Sequence, residues 1–270
     1  MSTNKEFKAN WSELLIEAVT KPGIISEAYR RFWNYSFGNQ LLALIQCLER
    51  KIEPGPIHTF KGWRDLGRHV KKGENAITLC MPVTVKDKKL KDRLTAVDPN
   101  APVHSKTIFV YRNHWFVLSQ TDGEPYVPVP IPDWNEDLAL QSLKIERTPF
   151  NSLDGNCQGF AVGRKVAVSP IAALPHKTLF HELAHALLGH TIEIGNLVDT
   201  DSTPRNLREV EAEAVALICC ESLGLSGAPE ARGYIQHWLG ANQPIPEKSA
   251  QKIFRVADMI LREGVLQRDC

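Results

Sequence analysis

The sequence contains no apolar run near the ~20 residues that a bilayer-spanning helix needs, so no membrane contact is expected. Its first eight residues, Met1 to Lys8, are polar and lack the apolar core of a signal peptide. There is no C-x-x-C pair. The six cysteines (Cys47, Cys80, Cys157, Cys219, Cys220 and Cys270) are dispersed without the spacing of a disulfide framework, which points to a reducing, cytoplasmic setting. A large net charge is also missing, since 32 basic residues face 31 acidic ones. The apolar fraction of 43% and charged fraction of 23% exclude a disordered or membrane-embedded chain. At 270 residues, two domains of ~100–150 residues are the natural expectation.

The near-neutral total conceals a division. Residues 1–125 hold 19 basic and 13 acidic side chains, a net of +6, and residues 126–270 hold 13 and 18, a net of −5. A basic front half suits an anionic partner, nucleic acid first, although a solvated basic face has the same composition. Two stretches mix cations with aromatics. Arg30-Arg31-Phe32-Trp33-Asn34-Tyr35-Ser36-Phe37 is one; the other, from His58 to Glu74, holds Lys61, Trp63, Arg64, Arg68, Lys71 and Lys72. Arginines on phosphates and rings on bases are how single-stranded nucleic acid is held; rings packed into a core are the plainer reading.

Helical spacing marks residues 5–20 and 38–51, and Thr59 is a plausible N-cap for a short helix that Gly67 ends. Strand patterns follow at 76–83 and 106–118, separated by a charged loop from Lys86 to Pro102. Glu124-Pro-Tyr-Val-Pro-Val-Pro-Ile-Pro-Asp133 then alternates prolines with other residues. It reads as an extended linker, and a boundary is expected at 124–134, between domains 1–123 and 135–270.

The second half is organised around His181-Glu182-Leu183-Ala184-His185. On a helix framed by Pro175 and Gly189, His181 and His185 project from one face one turn apart and can reach one tetrahedral zinc ion. Glu182, about 100° round the helix, stands beside the metal, where it can take a proton from water as general base. A helix carrying two unrelated histidines is the structural alternative. His190 lies about 140° from His185 on a continued helix, off the metal face, and reads as a helix-end residue favoured by the dipole. The metzincin extension of the motif is absent.

A third ligand is expected from the segment between Thr203-Pro204 and Gly224. There Glu209 and Glu213 stand one turn apart on one face while Glu211 points away. One of the two carboxylates would ligate the metal and the other hold a ligand imidazole by its second nitrogen; an exposed acidic face is the alternative.

Several pieces resemble a family. Asn39 in Phe-Gly-Asn-Gln-Leu-Leu-Ala-Leu-Ile-Gln, Trp63, Gly67-x-x-Val-Lys-Lys-Gly-Glu74 and Phe116-x-Leu-x-Gln-Thr121 resemble, in order, the N-terminal domain of ArdC-type antirestriction proteins. The order of strand, Pro170, H-E-x-x-H and E-x-x-A-E-x-x-A, followed by Gly233-Tyr-Ile-Gln-His-Trp-Leu239, is similar to the metallopeptidase-like domain of those proteins and to ImmA/IrrE-type gluzincins. The resemblance implies an α+β protein of two domains, a single-stranded-DNA-binding domain followed by a mainly helical, zincin-like domain with a small sheet. It implies His181, His185 and Glu209 as ligands of one zinc (manganese or iron fitting the same donors), Glu182 as catalytic base and Glu213 behind a ligand. It also implies DNA contact through Arg30, Arg31, Trp33, Asn39, Lys61, Trp63, Arg64, Arg68, Lys71 and Lys72, with Trp33 and Trp63 stacking or buttressing. Protection of incoming mobile-element DNA from restriction, in the cytoplasm of a bacterial host, is the implied role. The alternative is an intracellular zinc endopeptidase acting on a regulatory or restriction protein. Tyr234 and His237 are candidates for steadying an oxyanion.

Overall fold

The computed structural model describes residues 9–86, 105–152, 154–191, 204–241 and 243–265. The chain is an α+β protein of two compact units. The first comprises the described residues of Gln46–Tyr126; the second comprises those of Ala9–Ile45 and Val127–Cys270. The expected linker at 124–134 holds one crossing between units, at Tyr126/Val127. A second crossing, Ile45/Gln46, falls inside a helix, so residues 9–45, expected in the first domain, fold with the second unit. The expected loop at 86–102 lies almost entirely outside the described residues, as does the beginning of the expected helix at 5–20.

The reason lies in the helix ends. Helix α1 (Trp11–Thr20) starts at Asn10, whose side chain accepts the Glu13 amide. Its other free amides, Trp11 N and Ser12 N, donate to the carboxylate of Glu247 at 3.1 and 2.9 Å. At its C-terminus, Arg232 donates to the Ala18 and Val19 carbonyls and pairs with Glu221. Both sets of orphan groups are thus satisfied by side chains more than 200 residues later. Helix α2 (Ile24–Phe32) follows after Gly23, whose φ of +86° suits glycine and whose amide donates to Glu221 at 2.8 Å. Helix α3 (Phe37–Arg50) begins with the Phe37 amide on Asp258 at 3.0 Å.

In the first unit, strands β1 (Ile57–Thr59), β3 (Ile77–Lys86) and β4 (Ser105–Val117) form an antiparallel sheet in the order β1-β4-β3. Strands β2 (Arg68–Val70) and β5 (Thr121–Gly123) make a separate ribbon, and helix α4 (Phe60–Asp65) opens on a cap from the Thr59 hydroxyl to Gly62 N at 3.1 Å. Trp63 is the fully buried centre, edge-on to His58 and Tyr126, with its indole N–H donating to the Phe116 carbonyl at 2.7 Å. Gln120, also buried, accepts from Val117 N and donates to the Glu74 carboxylate and the Asn75 carbonyl. Those bonds tie the Gly67–Glu74 stretch to the Phe116–Thr121 stretch, so these two family-like motifs hold the unit together.

In the second unit, helix α7 (Arg205–Leu223) is the axis, buried from Val210 to Cys220. Around it pack α6 (Pro175–Leu188), α8 (Ala228–Gly240), α9 (Glu247–Glu263) and α2. Helix α5 (Glu136–Leu143) lies on α9, and strands β6 (Glu146–Arg147), β7 (Gly159–Val162) and β8 (Lys165–Val168) form a sheet in the order β6-β8-β7. The sheet packs on α6. Small residues along α7 (Ala212, Ala214, Ala216) let its neighbours approach closely, and Trp11 and Phe37 close the layer against Phe254. Among the described residues no helix is long and apolar enough to cross a membrane.

Candidate metal centre

Pro175 occupies the first turn of α6, where a missing N–H is harmless, and Gly189 stops it in the left-handed conformation at φ +78°. The apolar face (Leu179, Phe180, Leu183, Ala184) is buried, and Phe180 meets Trp134 edge-on at 5.2 Å. His181 and His185 consequently emerge together, their Nε2 atoms 3.0 Å apart. From α7, Glu209 Oε2 lies 3.5 Å from the first and 3.6 Å from the second. Four donors at zinc distances of ~2.0–2.1 Å define a tetrahedron with edges of about 3.3–3.4 Å, so this triangle has the size a single ion requires. Two imidazole lone pairs and a carboxylate converging without an intervening hydrophobe is a borderline-soft donor set, and the residues present fit a zinc ion or another divalent ion.

Behind the triangle, Glu213 Oε1 is 3.3 Å from His181 Nδ1 and 2.7 Å from Lys177 Nζ. His181 Nδ1 and Glu213 Oε2 are otherwise buried without a hydrogen-bond partner. A ligating His181 carries its proton on Nδ1, where Glu213 stands to receive it. Burial works against the His181 imidazolium, but Glu209 and Glu213 together hold its pKa up to about 9. The neighbouring His181 and His185 imidazoles hold the Glu209 carboxyl far below its ordinary range. Glu182 is buried beside them; burial raises its carboxyl above the usual value, and the two histidines pull it back.

Strand β7 runs along this face. A cleft of about 540 Å³ opens between it and the site, lined by Phe160, Ala161, Glu182, His185, Arg208 and Glu209 among others. Tyr234, part-exposed on α8, titrates high because of burial and then because the Glu209 and Glu213 charges are near. His237 is exposed on the same helix.

Two side chains that the helical pattern set aside are part of the cluster. His190 and Glu211 are both 3% exposed, joined Nε2 to Oε2 at 2.9 Å, and His190 Nδ1 is 3.0 Å from His185 Nδ1. Helical spacing misplaces His190 because the helix has already ended: the left-handed Gly189 turns the chain back, and His190 N reaches the His185 carbonyl at 2.9 Å. Glu211 does face away from the triangle, but toward His190 and not toward water. The signal available in the sequence was a glycine immediately before the histidine.

The expected DNA-contacting residues are distributed over both units. Arg30, Arg31, Trp33 and Asn39 belong to the second; Lys61, Trp63, Arg64, Arg68, Lys71 and Lys72 belong to the first. Trp63 has no free face for a base, because core packing claims the whole ring; it buttresses the unit. Arg68 is committed to the Thr121 hydroxyl and to the carbonyls of Thr121, Gly123 and Glu124. Lys71 donates to the Ser119 carbonyl, Lys61 pairs with Asp65, and Arg30 and Arg31 both pair with Glu27. Such exposed pairs are weak and can be exchanged for phosphate. Arg64 and Lys72 are exposed, and Trp33 is partly so.

Residues 5–115 match the family model described as the N-terminal domain of anti-restriction factor ArdC. An uncharacterized protein of Bacillus anthracis is 26% identical over 244 residues, covering 73% of this chain and 40% of that protein. The chain therefore spans about two fifths of that relative's length. Two crystal structures of the antirestriction ArdC protein from the R388 plasmid share the fold. The metal-free one has TM-score 0.54 and 18% identity over 94% of this chain and 97% of that one. The Mn(II)-bound one has the same score and identity over 97% and 100%. The chain is thus similar to ArdC: residues 5–115 match the model of the ArdC N-terminal domain, and the fold resembles that of ArdC over nearly the whole chain.

Proposed function

We propose that this chain is an antirestriction protein that binds single-stranded DNA and carries one divalent ion, zinc in the first instance, on His181, His185 and Glu209. The observation that carries the reading is the ArdC N-terminal domain match in a chain whose fold follows an antirestriction protein over nearly its whole length. The net charge of +6 over residues 1–125, with Arg64 and Lys72 exposed, supports an anionic partner for that half. A cytoplasmic location, where incoming DNA meets restriction enzymes, follows from the same role.

A bound ion would supply Lewis acidity and a more acidic water. The residues do the rest. Glu182, whose carboxyl is raised above its usual value by burial, takes a proton and can return it to a leaving group. Glu213 fixes the His181 ring from behind, anchored by Lys177. Among the described residues strand β7 is the outer strand of its sheet, and it lines the cleft, which favours a second reading in which a peptide in extended form is cut there, from a regulatory or restriction protein. An antirestriction assay of Glu182→Gln beside Arg64→Ala/Lys72→Ala separates the two. The first reading expects protection to survive the former and fall with the latter; loss with Glu182→Gln alone, with metal retained, would establish the peptidase reading in its place.

A further inference from the structure

The donor triangle needs both Nε2 lone pairs free, and an imidazole alone in water favours no such arrangement at a fixed orientation. His181 has a carboxylate directly behind it. His185 does not. Behind His185 Nδ1 stands a second imidazole, that of His190 at 3.0 Å, and behind that the buried carboxylate of Glu211 at 2.9 Å. Between two facing ring nitrogens one must carry the proton and the other a lone pair. A carboxylate can only accept, so His190 donates from Nε2 and presents a lone pair at Nδ1. That lone pair takes the proton of His185 Nδ1, which leaves His185 Nε2 unprotonated toward His181 and Glu209. The opposite tautomer would aim an N–H into the triangle.

We propose that His190 and Glu211 are positioning residues: a buried imidazole–carboxylate relay that fixes the tautomer and orientation of His185 for metal binding. The inference rests on the metal-centre reading above. The relay is built into the fold at both ends. Gly189 in the left-handed conformation returns the chain so that residue 190 reaches back over its own helix. Glu211 lies on the buried stretch of α7, close to Ser249 in the first turn of α9. His190 borders the cleft, but the side chains of His190 and Glu211 are each only 3% exposed, and both ring nitrogens of His190 are engaged within the relay.

The test uses the full chain in His190→Phe, which keeps ring volume but removes both nitrogens, in Glu211→Ala, and in Glu211→Gln, whose amide oxygen still accepts. Zinc affinity by chelator competition should weaken about 10–100-fold in the first two, and Glu211→Gln should recover most of it. Long-range proton–nitrogen spectra of the metal-free protein should show His185 protonated at Nδ1 in the parent, with that preference lost in His190→Phe. Should Glu211→Ala fail to fold, His190→Phe carries the comparison. Zinc affinity within twofold of the parent in His190→Phe, or an unchanged His185 tautomer, overturns the proposal. A parent that takes up no zinc, and is indifferent to His181→Ala, instead overturns the metal-centre reading, and the tautomer spectrum still decides the relay.

Discussion

Gly159 of β7 lies so close to Glu182 of α6 that a side chain does not fit between them: a Cβ at Gly159 would stand 3.1 Å from Glu182 Cγ and 2.6 Å from Thr178 Cγ2. The absence of a side chain lets the strand lie directly on the face that carries the carboxylate. Gly159→Ala must push the two apart, and overpacking of this kind costs about 1–3 kcal/mol. Thermal denaturation should register the loss, and any hydrolytic activity should fall further than the stability change explains. An unchanged melting temperature would show that the strand is not held against the helix.

How far these contacts were legible in the sequence differs by residue. His181 and His185 could be placed together because helical spacing survives in the sequence; the same spacing left Glu209 and Glu213 equivalent, and only the family resemblance chose Glu209. His190 and Glu211 could not, because a helical wheel assumes a helix that Gly189 has already stopped. Trp63 read equally well as a base-stacking ring or a core ring, since burial depends on partners such as Phe116 and Tyr126 more than 50 residues away. The allegiance of residues 9–45 was hidden for the same reason: the groups that cap α1 come from Glu247 and Arg232. The approximate bounds of the longer elements α1, α3, α6, α7, β3 and β4, by contrast, were visible, because apolar periodicity and capping residues are local; helix α2 and the three-residue strands β1, β2 and β5 were not.

Trp63 and the exposed cations of its unit should separate stability from binding. Trp63→Ala removes the largest fully buried side chain and should destabilise by about 3–5 kcal/mol. Arg64→Ala/Lys72→Ala should alter stability by only about 0.5 kcal/mol per site. The double variant should weaken binding of a fluorescent single-stranded oligonucleotide and flatten the slope of log K against log salt by ~1.4, at about 0.7 per lost phosphate contact. An unchanged slope would place the DNA elsewhere.

Asp258 makes a pH-dependent prediction. Burial lifts its carboxyl above the ordinary range, against the pull of Arg262 and the Phe37 amide. A carboxyl whose folded pKa exceeds its unfolded value favours folding through its protonated form, so its contribution is absent at neutral pH and appears as pH falls through the folded value. Asp258→Asn, always neutral and still able to accept from Phe37 N, should be at least as stable as the parent at about pH 7.5, and that advantage should shrink toward about pH 4.5. Urea midpoints at the two pH values check the sign; an advantage that grows on acidification would contradict it.

The metal content of the purified full chain tests the account most directly. The parent and Glu182→Gln should each hold about one divalent ion per chain, while His181→Ala and Glu209→Ala should hold almost none at the same free-metal concentration. Equal occupancy in Glu209→Ala and the parent would contradict the assignment of the donor triangle.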